Sequence, residues 1–545
     1  MCKKFTPDEL NTMNNKTKDD IIYQMQDRLD QMEKNYENLM EQIRVANQQR
    51  YGRHSESLNA LTGQISFFNE VEGCCDESIP EPTIEETVAD TLTKPRKKKK
   101  PGQREEDLKG FPQEEVSHQV SHAKLLTTFG EGNWKSMPDE VYWQLRFEPG
   151  RWIAEKHIVK VYLGTDGMHQ DEFLRGDHPK TLFRGSIATP SLEAAIINAK
   201  YVNANPLDRL SRDFQTNGLH LSKQTMSNWT VAVAERYFLP VYELMKATAL
   251  KSHVNQCDET TLEVIHDGRP AGSKSYMWVH ITGELSDAPK TVVYEYQKTR
   301  HSDHPKKYYN HFDGVLMTDG LEQYHKIARE LDGLQNANCW SHARRDYADA
   351  IKAIGKANQQ AIRQSIAYQA LVRIGAIYKL EESLKSLSPD ERLRERQSSI
   401  KPLVEEYFAW VKECVANTTV TPKGKTSSGL NYSLNQEEYL KVFLSDGEVP
   451  IDNSAAERAI RPFTIGRKNW MTMNTERGAN ASATIYSITE TARANDLNVY
   501  YYIKHLLTEL PEMIDENGNI ESKQLEPLMP WSQTLPIDCY SKRRR

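Results

Sequence analysis

The amino-acid sequence predicts a multidomain protein of mixed α+β and α/β class, and three patterns in the chain support this. A heptad repeat near the N-terminus predicts a coiled coil. A β-rich stretch followed by a helical stretch predicts two small modules, and alternating strands and helices from Ser252 onward predict an α/β domain. A chain of 545 residues is long enough for several domains that each bury a core.

Composition narrows the class of protein. The seven cysteines are scattered, odd in number and without a Cys-x-x-Cys pair, which is typical of reduced thiols and predicts that no zinc is bound. No stretch approaches the ~20 apolar residues of a membrane span, and the N-terminus has no apolar signal region, so we expect a cytoplasmic protein. The net charge is −6, but basic residues cluster at 94–100 and at the C-terminal end, where a linker or tail can touch phosphates.

Residues 1–72 are predicted to form a coiled-coil region. Between Asp19 and Asn47, apolar residues recur in steps of three and four, as at the a and d positions of a heptad. The seam consists of Ile22, Met25, Leu29, Met32, Tyr36, Leu39, Ile43 and Ala46. We favour a homo-oligomer over an amphipathic helix that lies on its own domain, because the surrounding positions are polar. Acids, prolines and lysines dominate residues 73–106, which predicts a basic disordered linker.

Residues 107–188 are predicted to form a small β-rich module. The stretch VYWQLRFEPGRWIAEKHIVKVYLG alternates apolar and polar side chains around a turn at Pro149-Gly150. A sheet of a few strands is therefore expected between the linker and the helical region.

Residues 189–250 are predicted to be helical and to contain a helix-turn-helix. A helix near Pro206–Gln215 ends at Asn217-Gly218, and a second helix begins at Ser222. Short polar side chains at the start of a second helix suit contacts with base edges and phosphates, although an ordinary helical hairpin is the alternative. The candidate DNA-binding residues here are Lys223, Gln224, Thr225, Ser227 and Asn228.

The α/β domain is interrupted by a long helical block. In residues 251–345, three strands in a row precede alternating helices and strands, which is the order of a ribonuclease-H-like sheet. Residues 346–449 predict a helical insertion, within which we expect the polar, basic stretch TPKGKTSSGLNYSLNQ to be a loop. Residues 450–515 complete the domain, and 516–545 form a C-terminal tail.

Three acids occupy positions where a metal site could form. Asp258 is expected to end the first strand and Asp319 the fourth, and these strands lie side by side in a ribonuclease-H-like sheet. Glu457 lies on the first helix after the helical block. Three converging carboxylates would suit two Mg²⁺ ions about 4 Å apart, with Mn²⁺ as the alternative ion, for an in-line displacement at phosphorus.

Each acid also has a structural alternative. Asp258 could be a turn residue or an N-cap, and Asp319 could serve the Asp-Gly turn. Glu457 could close a capping box with Ser454. Basic residues near the third acid could hold a DNA strand, or some could form surface ion pairs. These basic residues are Arg458, Arg461, Arg467 and Lys468.

The sequence resembles bacterial transposases of the insertion-sequence sixty-six family over nearly the whole chain. The segments that carry the resemblance are CDET, MTDGLEQY, CWSHARRDY, SGLNYSLNQ, DNSAAERAIRPFTIGRKNW and YSITETARAN, together with RVANQQRYGRHSESL and FFNEVE near the N-terminus. The resemblance implies a DDE-type transposase with a ribonuclease-H fold and a helical insertion. It implies that Asp258, Asp319 and Glu457 are the catalytic and metal-binding triad, with Glu490 as the reserve for the third acid.

The resemblance also implies partners. These are double-stranded DNA, as the element's terminal repeats and the target, and small accessory proteins encoded beside the transposase. It places the chain in the bacterial cytoplasm, associated with the nucleoid. The alternatives are a catalytically inactive DNA-binding derivative and a ribonuclease-H-like nuclease without strand transfer.

The chain departs from the family in one module. A zinc ribbon usually lies between the linker and the helix-turn-helix, but here the cysteines are absent. The histidines of this region, His118, His122, His157 and His169, show no ligand pattern. His342, in CWSHARRDY, is expected near the metals, where it could position a phosphate or water or could simply pack at a helix start.

Overall fold

The structure, a computed structural model, describes residues 112–541 except 149, 166, 170, 355–358, 417–423 and 516–518, together with Leu108 and several residues between 17 and 32. The chain divides into two compact units. The main unit comprises Glu81–Gly314, Leu331–Gly333 and Ala455–Arg545, and the insertion unit comprises Met1–Pro80, Val315–Glu330 and Leu334–Ser454. Within the described residues, no helix combines the length and the apolar character that crossing a bilayer requires.

Most of the predicted coiled coil lies outside the described residues, as does the predicted linker. Residues 17–20, 22, 23, 25, 26 and 32 are helical. The seam residues Ile22, Met25 and Met32 are each more than half exposed. Exposed apolar side chains on a helix agree with a surface for another helix, but the coiled coil itself stays a prediction.

The β-rich module contains two three-stranded sheets, ordered β1-β4-β3 and β2-β5-β6 in the described residues. Its elements are β1 (Gln113–His118), α1 (His122–Phe129), β2 (Trp134–Ser136), β3 (Glu140–Glu148), β4 (Arg151–Val159), β5 (Val161–Gly164) and β6 (Phe173–Arg175). The predicted hairpin is confirmed, because β3 and β4 pair antiparallel from Glu140↔Val159 to Glu148↔Arg151. The second sheet and helix α1 go beyond the single sheet that the sequence predicts.

The histidines of this module contact neighbouring side chains. His118 Nε2 lies 3.0 Å from His157 Nδ1, and the two rings stack. His169 Nδ1 lies 2.8 Å from Glu172, and His122 packs edge-on against Trp134. These contacts give each of the four histidines a packing role within its own module.

The helical region that follows confirms both predicted helices. It comprises α2 (Pro190–Ile197), α3 (Leu207–Thr216), α4 (Lys223–Val233) and α5 (Leu239–Ala249), with π-helical segments at Asn198–Val202 and Ala234–Phe238. Leu192, Phe214 and Met226 belong to one buried cluster. Helices α2, α3 and α4 therefore share a core, and the turn at Asn217-Gly218 separates α3 from α4 as predicted.

The α/β part begins with three strands and a short helix: β7 (Val254–His266), β8 (Lys274–Thr282), β9 (Val292–Gln297) and α6 (Asp303–Tyr308). The three strands form an antiparallel meander in the order β7-β8-β9. The expectation that the first strand ends at Asp258 is wrong. Strand β7 continues to His266, because β8 supplies backbone partners as far as Glu263↔Lys274.

The insertion unit confirms the alternation of strands and helices and the helical block. Its elements are β10 (Gly314–Thr318), α7 (Glu322–Glu330), β11 (Leu334–Asn338), α8 (Trp340–Ile354), α9 (Gln359–Gln364), α10 (Ile366–Ser383), α11 (Pro389–Glu395), α12 (Lys401–Ala416), α13 (Lys425–Asn435) and α14 (Glu437–Leu440). Trp340 is fully buried, and its Nε1 donates to Leu440 O at 2.8 Å, as expected of a core residue.

Within this block, the stretch expected to be a loop is largely helix α13. Its polar residues are not all solvated, since Ser427 and Ser433 are buried, as are Gly429 and Leu430. A Cβ at Gly429 would lie 2.8 Å from the Tyr347 ring, so glycine allows α13 to approach α8 closely. Tertiary packing thus produces a helix from residues of weak helical propensity.

The last part of the chain returns to the main unit. It contains α15 (Ser454–Trp470), β12 (Met473–Thr475), α16 (Glu476–Ala494), α17 (Val499–Met513) and α18 (Ser522–Leu525). Strand β12 pairs parallel with the far end of β7. Helix α16 covers β9, where the amides of Val292 and Tyr294 donate to the hydroxyls of Thr491 and Ser487 at 2.9 and 2.7 Å. These bonds satisfy strand amides that would otherwise face an edge.

The predicted C-terminal tail packs against this unit. The amide of Asn498 donates to Cys539 O at 2.8 Å, and Leu497 forms a β-bridge with Tyr540. Cys539 is 2% exposed. The end of the described chain is therefore held against the start of α17.

A buried acid lies among the helices of the predicted helix-turn-helix. Glu193 of α2 is fully buried, and its Oε1 accepts a hydrogen bond from the Thr230 hydroxyl of α4 at 2.9 Å. Burial raises the pKa of this carboxyl to about 8. The folded state therefore favours the protonated acid, and stability falls as pH rises from the unfolded pKa through the folded one.

We expect Glu193→Gln to stabilise the protein progressively between about pH 5 and about pH 9, because glutamine keeps the Thr230 bond and cannot ionise. Thermal melting at both pH values checks this. Glu243→Gln, at an exposed position of α5, is the matched control and should show no such dependence. An equal effect of Glu193→Gln at both pH values would contradict the assignment of a protonated Glu193.

Candidate active site

Asp258 lies in the interior of β7. Its backbone pairs with Val279 of β8, and its half-buried carboxylate accepts a hydrogen bond from the Glu259 amide at 2.9 Å. The side chain of Glu259 is 2% exposed and pairs with Arg300. Neither a turn nor an N-cap explains Asp258, because the strand continues on both sides.

Asp319 follows directly after β10 and makes the predicted turn. Its Oδ1 accepts a hydrogen bond from the Leu321 amide at 3.2 Å, and Gly320 has φ 88°. Its backbone carbonyl accepts a hydrogen bond from the Tyr432 hydroxyl of α13 at 2.9 Å. The turn does not exclude a ligand role, because a carboxylate has two oxygens and about four acceptor directions.

Glu457 lies in the first turn of α15 and is half-buried. The alternative of a capping box with Ser454 as N-cap is wrong. Ser454 is itself the first helical residue, and both its hydroxyl and its amide donate to Asp452 Oδ1. Glu457 is therefore placed by its helix without the predicted capping role.

Glu490, the reserve third acid, is in a different environment. It lies on α16, is 7% exposed and forms an ion pair with Arg493 at 3.0 Å. Burial raises the pKa of its carboxyl to about 7, although Arg493 acts in the opposite direction. Glu490 is therefore protonated more readily than an ordinary carboxyl, and the choice between Glu457 and Glu490 as the third acid stays a prediction.

The four acids are divided between the two units. Asp258, Glu457 and Glu490 belong to the main unit, whereas Asp319 belongs to the insertion unit. The convergence of Asp258, Asp319 and Glu457 on common metal ions stays a prediction. Their chemistry fits such ions, since each is a half-buried carboxylate on a regular element or next to one, and divalent Mg²⁺ and Mn²⁺ prefer oxygen ligands.

His342 lies in the first turn of α8, where it is half-buried. Burial, assisted by the nearby Arg345 charge, lowers the pKa of its imidazole to about 3. The ring is therefore neutral at physiological pH. A neutral imidazole can accept or donate a hydrogen bond, but it cannot attract a phosphate as a cation.

Two of the four basic residues near Glu457 have protein partners. Arg458 pairs with Glu284 at 2.7 Å. Arg467 donates to the Thr261 carbonyl of β7, and its Nη1 lies 3.3 Å from the Thr260 hydroxyl. Arg467 therefore braces β7 just beyond Asp258, a role that the sequence did not indicate. Arg461 is half-buried and Lys468 is exposed.

The candidate DNA-binding residues lie at the start of α4. Ser222 is the N-cap, and its hydroxyl oxygen accepts from the Thr225 amide at 3.1 Å. Lys223, Gln224 and Asn228 are exposed, and Gln224 Nε2 donates to Asn228 Oδ1 at 3.0 Å. Thr225 and Ser227 are half-buried. The exposed amide pair could read base edges without unfolding any part of the helix.

The chain belongs to a family of transposases. A family model described as "Transposase IS66 family" matches residues 185–481, which is more than half of the chain. The model described as "IS66 C-terminal element" matches residues 487–531, and one described as "Transposase C of IS166 homeodomain" matches residues 38–116. The chain is therefore a member of the IS66 transposase family, and the resemblance seen in the sequence is confirmed. The first match contains Asp258, Asp319 and Glu457, whereas Glu490 lies in the C-terminal element.

Similar proteins carry no assigned activity in their names. The chain is 27% identical to "Uncharacterized protein y4hP" of Sinorhizobium fredii over 358 residues, which cover 64% of this chain and 62% of that protein. It is 26% identical to "Uncharacterized protein y4qI" of the same organism over 399 residues, which cover 70% of this chain and 68% of the relative.

We expect Arg467→Met to lower the stability of the protein by about 1–3 kcal/mol, because the Thr261 carbonyl and Thr260 hydroxyl lose a charged donor. Lys468→Met is the matched control, since the neighbouring side chain is exposed, and it should change stability by less than about 0.5 kcal/mol. Thermal and urea unfolding of the full chain measure both effects. Equal losses for the two variants would show that Arg467 does not brace β7.

Proposed function

We propose that the chain is a DDE-type transposase that cuts DNA at the ends of an insertion element and joins those ends to target DNA. The observation that carries the proposal is the position of Asp258. Its carboxylate is half-buried in the interior of a paired strand, where it serves neither turn nor cap. A carboxylate held inside a paired strand, outside any turn or cap, is a candidate for a functional role.

The proposed site joins this acid to Asp319 and Glu457. Strand β7, the turn after β10 and the first turn of α15 would hold the three carboxylates in fixed positions. When bound, two divalent ions supply activation of an attacking water or 3′-hydroxyl and stabilisation of the leaving oxygen. The carboxylates would orient these ions, and the neutral His342 would position a water or a phosphate oxygen by hydrogen bonding.

DNA recognition is proposed for a separate surface of the main unit. Helix α4 would enter the major groove of the terminal repeats, with Lys223 on a phosphate and Gln224 and Asn228 on base edges. Arg461 and Lys468 are the proposed contacts to the strand being cut, and Arg458, which pairs with Glu284 at the surface, is a further candidate. The heptad seam would join copies of the chain so that two element ends are held together, with small accessory proteins as further partners.

Two alternatives use the same surfaces. A catalytically inactive DNA-binding derivative would bind the element ends without cutting them. The β-rich module lacks the cysteines that are usual in the family, and such a loss favours this alternative. A nuclease without strand transfer would cut the ends but would not join them. An assay that contains both end duplexes and a supercoiled target plasmid separates all three activities.

We expect Asp258→Asn, Asp319→Asn and Glu457→Gln each to lower Mg²⁺-dependent cleavage of end duplexes by at least about 100-fold, because each removes a charged oxygen ligand. Glu490→Gln is the matched control and should stay within about threefold of wild type, because its carboxyl is buried and already pairs with Arg493. Gel analysis of labelled duplexes from the DNA that flanks the coding sequence measures cleavage. Loss of cleavage in Glu490→Gln but not in Glu457→Gln would show that Glu490, and not Glu457, is the third catalytic acid.

A second prediction concerns DNA binding without metal. Asn228→Ala should relax sequence preference, with a cost of about 1–3 kcal/mol for the element end, whereas Lys223→Ala should weaken all duplexes alike and lower the salt slope by about one. Lys251→Ala, an exposed lysine beyond α5, is the control. Fluorescence anisotropy at several salt concentrations measures these effects. If all three variants bind DNA alike, α4 is not part of the DNA interface.

A further inference from the structure

We propose that Tyr432 of the helical insertion is a positioning residue for Asp319, so that the insertion is part of the catalytic platform. This inference rests on the proposed metal-binding role of Asp319. It deepens that role by assigning a function to the segment SGLNYSLNQ, which carried part of the resemblance and which the triad leaves unexplained.

The contact is made to the backbone of Asp319. The Tyr432 hydroxyl donates to Asp319 O at 2.9 Å, while Asp319 Oδ1 accepts from the Leu321 amide at 3.2 Å. The carbonyl of Asp319 thus has a partner on α13, and its carboxylate has a partner within the turn. Since Tyr432 is half-buried, water competes weakly for this bond.

Close packing shows that the turn and the tyrosine fit each other. A Cβ at Gly320 would lie 2.7 Å from the Tyr432 hydroxyl and 2.9 Å from Asn338 Nδ2, and φ at Gly320 is 88°. Glycine suits the left-handed backbone conformation, and a larger residue would have to displace the ends of these two side chains. The turn after β10 is therefore closely packed against Tyr432 and Asn338.

The C-cap residue of α13 extends the contact. Gln436 lies one turn after Tyr432, and its Oε1 accepts from Asn338 Nδ2 at 2.7 Å. The amide of Cys339, which follows Asn338 in the chain, donates to Thr318 O at 3.0 Å. The helix thus contacts the ends of both β10 and β11, and its two polar residues fix the turn that carries Asp319.

Helix α13 is itself rigidly placed. Gly429 packs against the Tyr347 ring of α8, and the Tyr407 hydroxyl of α12 lies 2.7 Å from the Ser433 hydroxyl. These contacts lie at buried positions of the helix. A helix held by two neighbours is a suitable base for a side chain whose role is to fix a turn.

The test compares Tyr432→Phe with Tyr407→Phe. Each variant removes one phenolic hydroxyl: Tyr432→Phe removes the bond to Asp319 O, and Tyr407→Phe removes the contact with Ser433. In metal-free protein, we expect Tyr432→Phe to speed amide exchange at Leu321 by about three- to tenfold, because the loss of one hydrogen bond loosens the turn. Tyr407→Phe should leave this exchange unchanged, although it can lower the melting temperature. Hydrogen-exchange mass spectrometry of peptides that span residues 316–323 provides the readout.

The same pair of variants is then assayed for cleavage of end duplexes across a Mg²⁺ titration. Tyr432→Phe should raise the Mg²⁺ concentration for half-maximal cleavage by about three- to tenfold and approach the wild-type rate at saturation, with DNA affinity unchanged. If both variants behave alike in exchange, or if Tyr432→Phe leaves exchange at wild-type level, Tyr432 does not position the turn and the inference fails. If wild type binds ends but does not cleave them, the proposed function fails, while the exchange result still decides the role of Tyr432.

Discussion

The backbone pairing of β7 with β8 is the interaction on which the candidate site depends. The two strands pair from Asn255↔Thr282 to Glu263↔Lys274, so the amides and carbonyls on that side of β7 have partners through and beyond Asp258. Backbone pairing fixes the face of the sheet from which each Cα–Cβ bond projects. The face that presents Asp258 is therefore fixed, and Arg467 adds a side-chain brace at Thr260 and Thr261.

The insertion unit applies the same constraint to a turn. A turn has fewer backbone partners than a strand, so Asp319 depends on side chains for its position. Tyr432 and Asn338 pack closely around Gly320. Trp340, at the start of α8, donates a hydrogen bond to Leu440 O at the end of α14. The helical block would thus contribute to the proposed site through packing, although the three proposed ligands lie outside it.

Patterns with a local physical cause could be predicted from the sequence. The helices α3 and α4 follow from Asn217-Gly218 and the Ser222 cap, and the β3-β4 hairpin follows from alternation around a turn. The three acids could be named, because each stands near a change in pattern. Structure decided by distant contacts could not be predicted. Helix α13 is an example, since its Gly429 has low helical propensity and is explained only by the Tyr347 ring of another helix.

The roles of Arg467 and Tyr432 were hidden for the same reason. Arg467 stands in a basic cluster, and from composition alone a cluster of this kind indicates a phosphate contact as readily as a brace. Tyr432 stands in a polar stretch without periodicity, and its partner is a backbone carbonyl more than a hundred residues away. A sequence read locally carries no signal for a side chain whose partner is a distant backbone atom.

The acids of this chain differ in how far burial removes their carboxyl groups from water. Raising the pKa of Glu490 from 4.5 to about 7 means that its ionised form is about 3 kcal/mol less favourable in the fold than in water. A cation that bound there would first have to offset this difference. Asp258, Asp319 and Glu457 are half-buried and remain in contact with solvent, so hydration offsets part of the cost of their charge. The same physical term keeps Glu193 protonated between two helices, so the comparison of Glu457 with Glu490 also tests whether a bound cation can offset the cost of a buried charge.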